Sequence, residues 1–269
     1  MKLPFRYLDR SAGLPTRDQE LAKIEINTAF PDERFQPPAD FVTVKHHPES
    51  PQLQMISEAL YLIRGTYNAM FSVFPDDVVI FEAPLNDAYM QEILRIVRSV
   101  AGSRPIRYVV ASHFHYDHIA GLRTVVSEGI PILTTPDAKE VIEESAEVRR
   151  TLRADALSRR PGKPIIETVM RQRVLDQGGV RARVYDFGPA PHVGQLLVAY
   201  FPDEKLLYVA DLMDVLTEEL VIAGVDAAPM RQKIQQLGLQ VEHFVPVHGS
   251  PITGEQFEQA YRIRAKYLP

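Results

Sequence analysis

The stretch SHFHYDHIAG, from Ser112 to Gly121, constrains this chain more than any other. It places His113, His115 and His118 within six positions, together with Asp117, in a chain that has 8 histidines in all. It follows Ile106-Arg107-Tyr108-Val109-Val110-Ala111, a β-branched run that reads as a buried strand. Side chains alternate along a strand, so an extended backbone continuing past Ser112 points His113 and His115 the same way. Two imidazole nitrogens then face one ion. Asp117 and His118 follow where the chain must turn into the next helix, on a different side, where they can grip a second ion. Gly121 lets a backbone or helix approach closely. A lone histidine is ordinarily a surface or satisfied core residue. Four nitrogen and carboxylate groups at i, i+2, i+4 and i+5 are instead the chemistry of a metal site.

The rest of the chain supplies further ligands of the same kind. His192 lies in Gly188-Pro189-Ala190-Pro191-His192-Val193-Gly194, a loop between two apolar runs. Asp211 ends Leu206-Leu207-Tyr208-Val209-Ala210, and His248 ends Phe244-Val245-Pro246-Val247. An aspartate after a strand is by itself an ordinary turn former or cap. One ligand at each of several strand ends is how α/β sheets build sites. With 0 cysteines, disulfides, thiolate ligands and cysteine nucleophiles are excluded. His46 and His47, in an irregular stretch, and His243, beside Glu242, are read as solvated or structural.

The chain has 269 residues, enough to bury a sizeable core. A net charge of −5 argues against a nucleic-acid surface, which needs a basic face. No run is apolar for long enough to cross a bilayer, and Met1–Pro15 has no apolar signal core. A cytoplasmic protein with no membrane and no nucleic-acid partner is expected, export after removal of a signal being left open.

Prolines punctuate the first fifty-odd residues, so residues 1–58 are expected to form an irregular arm packing on the body or on a partner subunit. Only a short helix near Thr16–Ile26 is expected within it, and the arm leaves a homodimer open. Strands are predicted at Ala59–Ile63, Ala69–Phe74, Val78–Phe81, Ile106–Ser112 and Ile132–Thr135, with helices at Asp87–Val100 and His118–Glu128. Pro136 to about Leu175 reads as mostly helical and charged. Strands follow at Arg181–Phe187, Leu196–Phe201, Leu206–Ala210 and Phe244–Val247, with a helix near Ala227–Leu237. Thr253 and Gln256 form a capping box for the last helix. Two mixed β/α halves suggest sheet packed on sheet with helices outside.

In these motifs the sequence resembles the metallo-β-lactamase-fold hydrolases. The signature H-x-H-x-D-H appears as His113, His115, Asp117 and His118. An acidic strand end appears as Glu82 in Val79-Ile80-Phe81-Glu82, followed in order by His192, Asp211 and His248. The segments Phe81-Glu82-Ala83-Pro84-Leu85 and Gly121-Leu122-Arg123 are similar to a broad bacterial branch whose substrates are unassigned. The resemblance, from about Ala59 onward, implies an α/β fold, a four-layer αββα sandwich over residues 59–269. It implies that His113, His115 and His192 bind one metal, Asp117, His118 and His248 a second, and that Asp211 bridges them. Two zinc ions are the first choice, with iron or manganese as alternatives. Glu82 is a second-shell candidate that would fix a ligand imidazole.

Two divalent ions about 3.5–4 Å apart can share a water that ionises near neutral pH. The expected enzyme is a dinuclear, zinc-dependent hydrolase that uses a bridging hydroxide to cleave an ester, lactone or β-lactam bond of a small-molecule substrate. Asp117 would orient the nucleophile and pass on its proton. The alternative is a mononuclear iron-dependent thiol or persulfide oxygenase on the same fold, which would leave Asp117, His118 and His248 without a metal role. Apolar residues between His118 and His192, among them Ile142, Leu157, Leu152 and Met170, read chiefly as helix packing, with a lid over the cleft as the second reading.

Overall fold

The structure, a computed structural model, describes residues 5–11, 14–41, 50–217 and 220–266. It divides into two compact units, Met1–Pro48 and a body spanning Glu49–Tyr267.

The smaller unit is a hairpin of β1 (Arg6–Ser11) and β2 (Leu14–Glu20) followed by a 3-10 turn at Asp32–Phe35. The expected helix near Thr16–Ile26 does not form. Leu14–Glu20 has no apolar stripe at helical spacing, and cross-strand pairing takes it instead, with Arg6 and Asp18 forming a two-pronged ion pair at 2.9 and 2.7 Å. His46 and His47 lie outside the described residues.

The first half of the body runs β3 (Gln52–Met55), β4 (Leu60–Arg64), β5 (Ala69–Val73), β6 (Val78–Phe81), α1 (Asp87–Ala101), β7 (Ile106–Val110), α2 (Tyr116–Ile119), α3 (Leu122–Ser127), β8 (Ile132–Thr134), α4 (Pro136–Glu147), α5 (Ala156–Arg159) and β9 (Ile166–Thr168). Its seven strands form one sheet in sequential order, parallel from β6 through β9. The second half runs β10 (Gln172–Val174), β11 (Arg183–Asp186), β12 (Leu197–Phe201), β13 (Leu206–Ala210), β14 (Asp214–Thr217), β15 (Leu220–Ile222), α6 (Ala227–Gln236), β16 (His243–Pro246), β17 (Ile252–Thr253) and α7 (Gly254–Ala265). Here a six-stranded sheet has the order β10-β11-β12-β13-β16-β17, with β13 and β16 parallel.

Strand periodicity sorts the buried residues into layers. Leu60, Leu62, Val79, Phe81, Tyr108 and Val110 face the second sheet, where Phe81 meets Phe201 edge-on at 5.1 Å. Their alternates Phe71, Ile80, Val109 and Ile132 pack under α1, α3 and α4. Met230 and Phe257, on α6 and α7, cover the outer face of the second sheet. The result is the expected four layers, helix–sheet–sheet–helix. α1 shows how locally the sequence determines this. Its stripe Met90, Ile93, Leu94 and Val97 is buried, and Asn86 caps it by accepting from the Tyr89 N–H at 2.9 Å, an interaction worth about 1 kcal/mol.

Several local expectations are corrected. The region after Arg160 is not helical: β9 completes the first sheet and β10 opens the second. β3 precedes the expected first strand and pairs with β4. The helix expected over His118–Glu128 is broken at Ala120–Gly121 into α2 and α3, because the Gly121 N–H bonds the Ala83 carbonyl at 2.9 Å. A Cβ on Gly121 would stand 2.8 Å from Met90 Cβ and 2.9 Å from Ala83 O, so the close approach needs glycine. The capping box at Thr253 and Gln256 is present on α7.

Candidate metal centre

The parallel strands β6, β7, β13 and β16 end at one edge of the sandwich, and the sequence-identified side chains leave from those ends. After β7 the chain bends at His113 and Phe114 rather than continuing as a strand, and His115 sits at φ −63°, ψ 143° before α2. His113 and His115 still come together, their rings 4.5 Å apart, so the expected pairing holds although strand alternation does not produce it. α2 then carries Asp117 and His118. At the end of β13 the parallel register with β16 slips, and Ala210 adopts φ +48°. That left-handed residue re-aims Asp211 out of the strand. Glu82, at the end of β6, has φ +87°. Such backbone costs on the order of 1–3 kcal/mol per residue and persists only where surroundings impose it.

All seven residues come together as two sets sharing one carboxylate: His113, His115, His192 and Asp211, and Asp117, His118, Asp211 and His248. Within each set the ligand atoms lie within 4.8 Å of one another. In the first, His192 Nε2 is 3.2 Å from His113 Nε2 and 3.3 Å from Asp211 Oδ2, and Asp211 Oδ2 is 3.8 Å from His113 Nε2. In the second, the other oxygen of the same carboxylate, Oδ1, is 2.9 Å from His118 Nε2 and 3.2 Å from His248 Nε2. Asp117 Oδ2 completes it at 3.2 Å from His248 Nε2 and 3.6 Å from His118 Nε2.

These separations fit metal ligation. A tetrahedral ion with bonds of about 2.0–2.2 Å sets its ligand atoms roughly 3.3–3.6 Å apart. Hydrogen bonding accounts for the contacts less well. His118 Nε2 and Asp211 Oδ1, though close, are both buried without a well-formed hydrogen bond, and buried polar atoms ordinarily have partners. The donor set, imidazole and carboxylate with no thiolate, suits zinc, iron or manganese. His113 and His118 are fully buried, while the side chains of Asp117, His192 and His248 are 35%, 27% and 30% exposed and form the open side.

Electrostatics set the charge states. Burial, with help from His118, pushes His113 down to about 2, so its ring is a neutral ligand. Burial also disfavours charge on His118, but the carboxylates of Glu82 and Asp211 outweigh it and carry the ring up to about 10, so a cation bound at Nε2 would displace that proton. Burial opposes ionisation of Asp211 as well, yet His118, His192 and His248 hold its carboxyl well below the usual carboxylate range.

The supporting residues divide into those visible in the sequence and those missed. Glu82, named from its strand-end position, is buried at 1% exposure. Its Oε1 accepts the Ser112 N–H at 3.0 Å, and its Oε2 lies 3.2 Å from His118 Nδ1. That carboxylate orients the ring so that Nε2 faces Asp211. Ser112 Oγ is 2.9 Å from His113 Nδ1 and does the same for that imidazole. Asp226 accepts the His192 N–H at 3.0 Å. Tyr67 packs edge-on against the His248 ring at 4.9 Å. Ser112, Asp226 and Tyr67 carry no ligand-like spacing in the sequence; only the fold brings them in. Of the apolar residues between His118 and His192, Ile142 and Leu157 are buried as packing, while Leu152 and Met170 are exposed. His243 is exposed at the start of β16.

The sequence profile of the metallo-beta-lactamase superfamily matches residues 63–245, a span that takes in every ligand position except His248. No curated protein matches the chain. Among solved structures, DIM-1 metallo-beta-lactamase superposes with a TM-score of 0.62 at 13% identity, covering 82% of this chain and 100% of that one. The metallo-beta-lactamase from Pontibacter korlensis gives 0.61 at 18%, covering 80% and 99%. The one from Hirschia baltica gives 0.59 at 14%, covering 80% and 98%. At these identities the likeness is one of fold.

Proposed function

The chain belongs to the metallo-beta-lactamase superfamily, and on that premise we propose that it is a dinuclear, zinc-dependent hydrolase acting on an ester, lactone or β-lactam bond. The observation that carries this reading is the shared carboxylate of Asp211, with one oxygen among His113 and His192 and the other among His118 and His248. A bound divalent pair supplies Lewis acidity and lowers the pKa of water toward about 7.

The chain's own residues do the rest. His113, His115 and His192 would hold one ion, Asp117, His118 and His248 the other, with Asp211 shared by the two sets. Asp117 is the most exposed of the carboxylates and lies on the open side, where it orients a water and takes up its proton. Glu82 keeps His118 facing inward. The net charge of −5 supports a small acyl substrate over a nucleic acid, whose phosphates need a basic face. The β-lactam bond stays in the set because the similar solved structures are metallo-beta-lactamases.

Zinc-loaded protein screened against nitrocefin, aliphatic lactones, aryl esters, thioesters and phosphodiesters is expected to turn over one of the first three classes. Equal activity in His113→Ala would mark a contaminant. Asp117→Asn is expected to lower kcat by about 10²–10⁴-fold, the usual range for a lost general base. Metal analysis finding one iron per chain would favour the thiol or persulfide oxygenase instead.

A further inference from the structure

We propose that Asn68 is a positioning residue for the second ligand set: it holds the turn that carries His248, and through that turn sets how tightly Asp117, His118 and His248 take up their ion. The proposal rests on the two-set reading of the metal centre.

Asn68 lies between β4 and β5, in the first sheet, and His248 follows β16, in the second. Asn68 is buried at 1% exposure, and its hydrogen bonds converge on one turn. Its backbone N–H donates to the Val247 carbonyl at 2.9 Å. Its side-chain Nδ2 donates to the carbonyls of Pro246 at 3.0 Å and Gly249 at 2.7 Å. One residue therefore takes the carbonyls on both sides of His248. The His248 carbonyl itself accepts from the Val215 N–H at 3.2 Å. On that side Gly249, at φ +93°, brings its backbone so close that a Cβ would overlap the Val215 carbonyl oxygen. The Asn68 carbonyl in turn accepts the hydroxyl of buried Tyr208, three positions before Asp211 on β13. The adjacent Tyr67 carbonyl accepts the Tyr89 hydroxyl at 2.7 Å, which ties the loop to α1.

This arrangement matters because the His248 ring is 30% exposed. His113 and His118 are fully buried and held by packing, Ser112 and Glu82. The His248 ring packs edge-on against Tyr67 at 4.9 Å, and the backbone of its turn sets the position from which Nε2 reaches Asp117 and Asp211. The task suits the carboxamide of asparagine, whose two N–H groups diverge from one nitrogen toward two carbonyls. Aspartate has the same shape but offers no donor and would face both carbonyls with acceptor oxygens. These hydrogen bonds of Asn68 go to the His248 turn and to Tyr208, not to His113, His115 or His192.

A residue that only joined the two sheets would, when changed, lower stability without selecting between the ions. The test is a cobalt(II) titration, read by visible absorption and by chelator competition, on wild type, Asn68→Ala and Asn68→Asp, with zinc stoichiometry measured by mass spectrometry. Wild type is expected to take two equivalents. In the variants one of the two equivalents should weaken about 10–100-fold, the usual cost of losing an orienting partner, while the other stays within about threefold. Asp155→Asn, whose partners Arg123, Arg150 and Ser158 are not ligands, serves as the destabilised control and should retain both. If Asn68→Asp does not fold, Asn68→Ser, with a single donor, gives the same readout. Equal weakening of both equivalents, or of neither, would overturn the proposal. A wild-type protein that binds no metal would instead contradict the ligand reading on which it rests.

Discussion

Glu82 shows how a single residue is committed to the centre. Its carboxylate is buried and its backbone is left-handed, two costs that an exposed strand end would avoid. Both are offset if the carboxylate orients His118. Glu82→Gln keeps an oxygen for the Ser112 N–H but removes the charge facing His118 Nδ1. Metal affinity at the second set is expected to fall about 10–100-fold with the fold retained, measured by chelator competition; unchanged affinity would make Glu82 a structural residue. The ligands themselves were legible in the sequence because metal chemistry needs particular side chains at strand ends. Ser112, Asp226 and Asn68 were not, because they act on backbone groups or ring nitrogens across the fold, and nothing in their spacing records it. Tyr67 was hidden for the same reason, being brought to His248 from a loop of the other sheet.

The helical insertion is organised by one buried ion pair. Arg123 of α3 donates to both carboxylate oxygens of Asp155, the pair being 5% and 7% exposed. It also donates to the carbonyls of Ser145 and Ala146 at the end of α4. Asp155 then caps α5 by accepting from the Ser158 N–H at 2.9 Å. Burial alone would raise the Asp155 carboxyl, but Arg123 and Ser158 overcome it and hold the group well below the usual carboxylate range. A depressed carboxyl contributes stability that is full above its unfolded value of about 3.9 and is lost as pH falls through the folded one. Asp155→Asn leaves a buried guanidinium unpaired and is expected to cost about 3–5 kcal/mol near neutral pH. Denaturant melts should show that deficit shrinking below about pH 4; a deficit that stays constant would mean the pair does not titrate with folding. At this scale the sequence misled where elements are short. β9 and β10 have three residues each, too few for alternation to show against the charged helices before them. Long, strongly patterned elements such as α1 and β5–β6 were plain.

At the scale of the molecule, two β/α halves fold as facing sheets whose parallel strands end at one edge. The order of strand and helix signals in the chain already implied those layers. It did not reveal β3, whose four residues are all exposed and carry no burial pattern, nor the hairpin of β1 and β2. Both ligand sets lie within Glu49–Tyr267. Removing residues 1–48 is therefore expected to leave metal stoichiometry unchanged, whereas a cut at Ala59 would also remove β3 from the edge of the first sheet and lower the melting temperature. The central claim is that two cations share Asp211. It is tested most directly by a crystal structure of the zinc-loaded protein with anomalous data at the zinc edge. Two peaks about 3.5–4 Å apart, on either side of the Asp211 carboxylate, are the expected result. A single peak with Asp117, His118 and His248 unliganded, or no peak among the seven side chains, would contradict it.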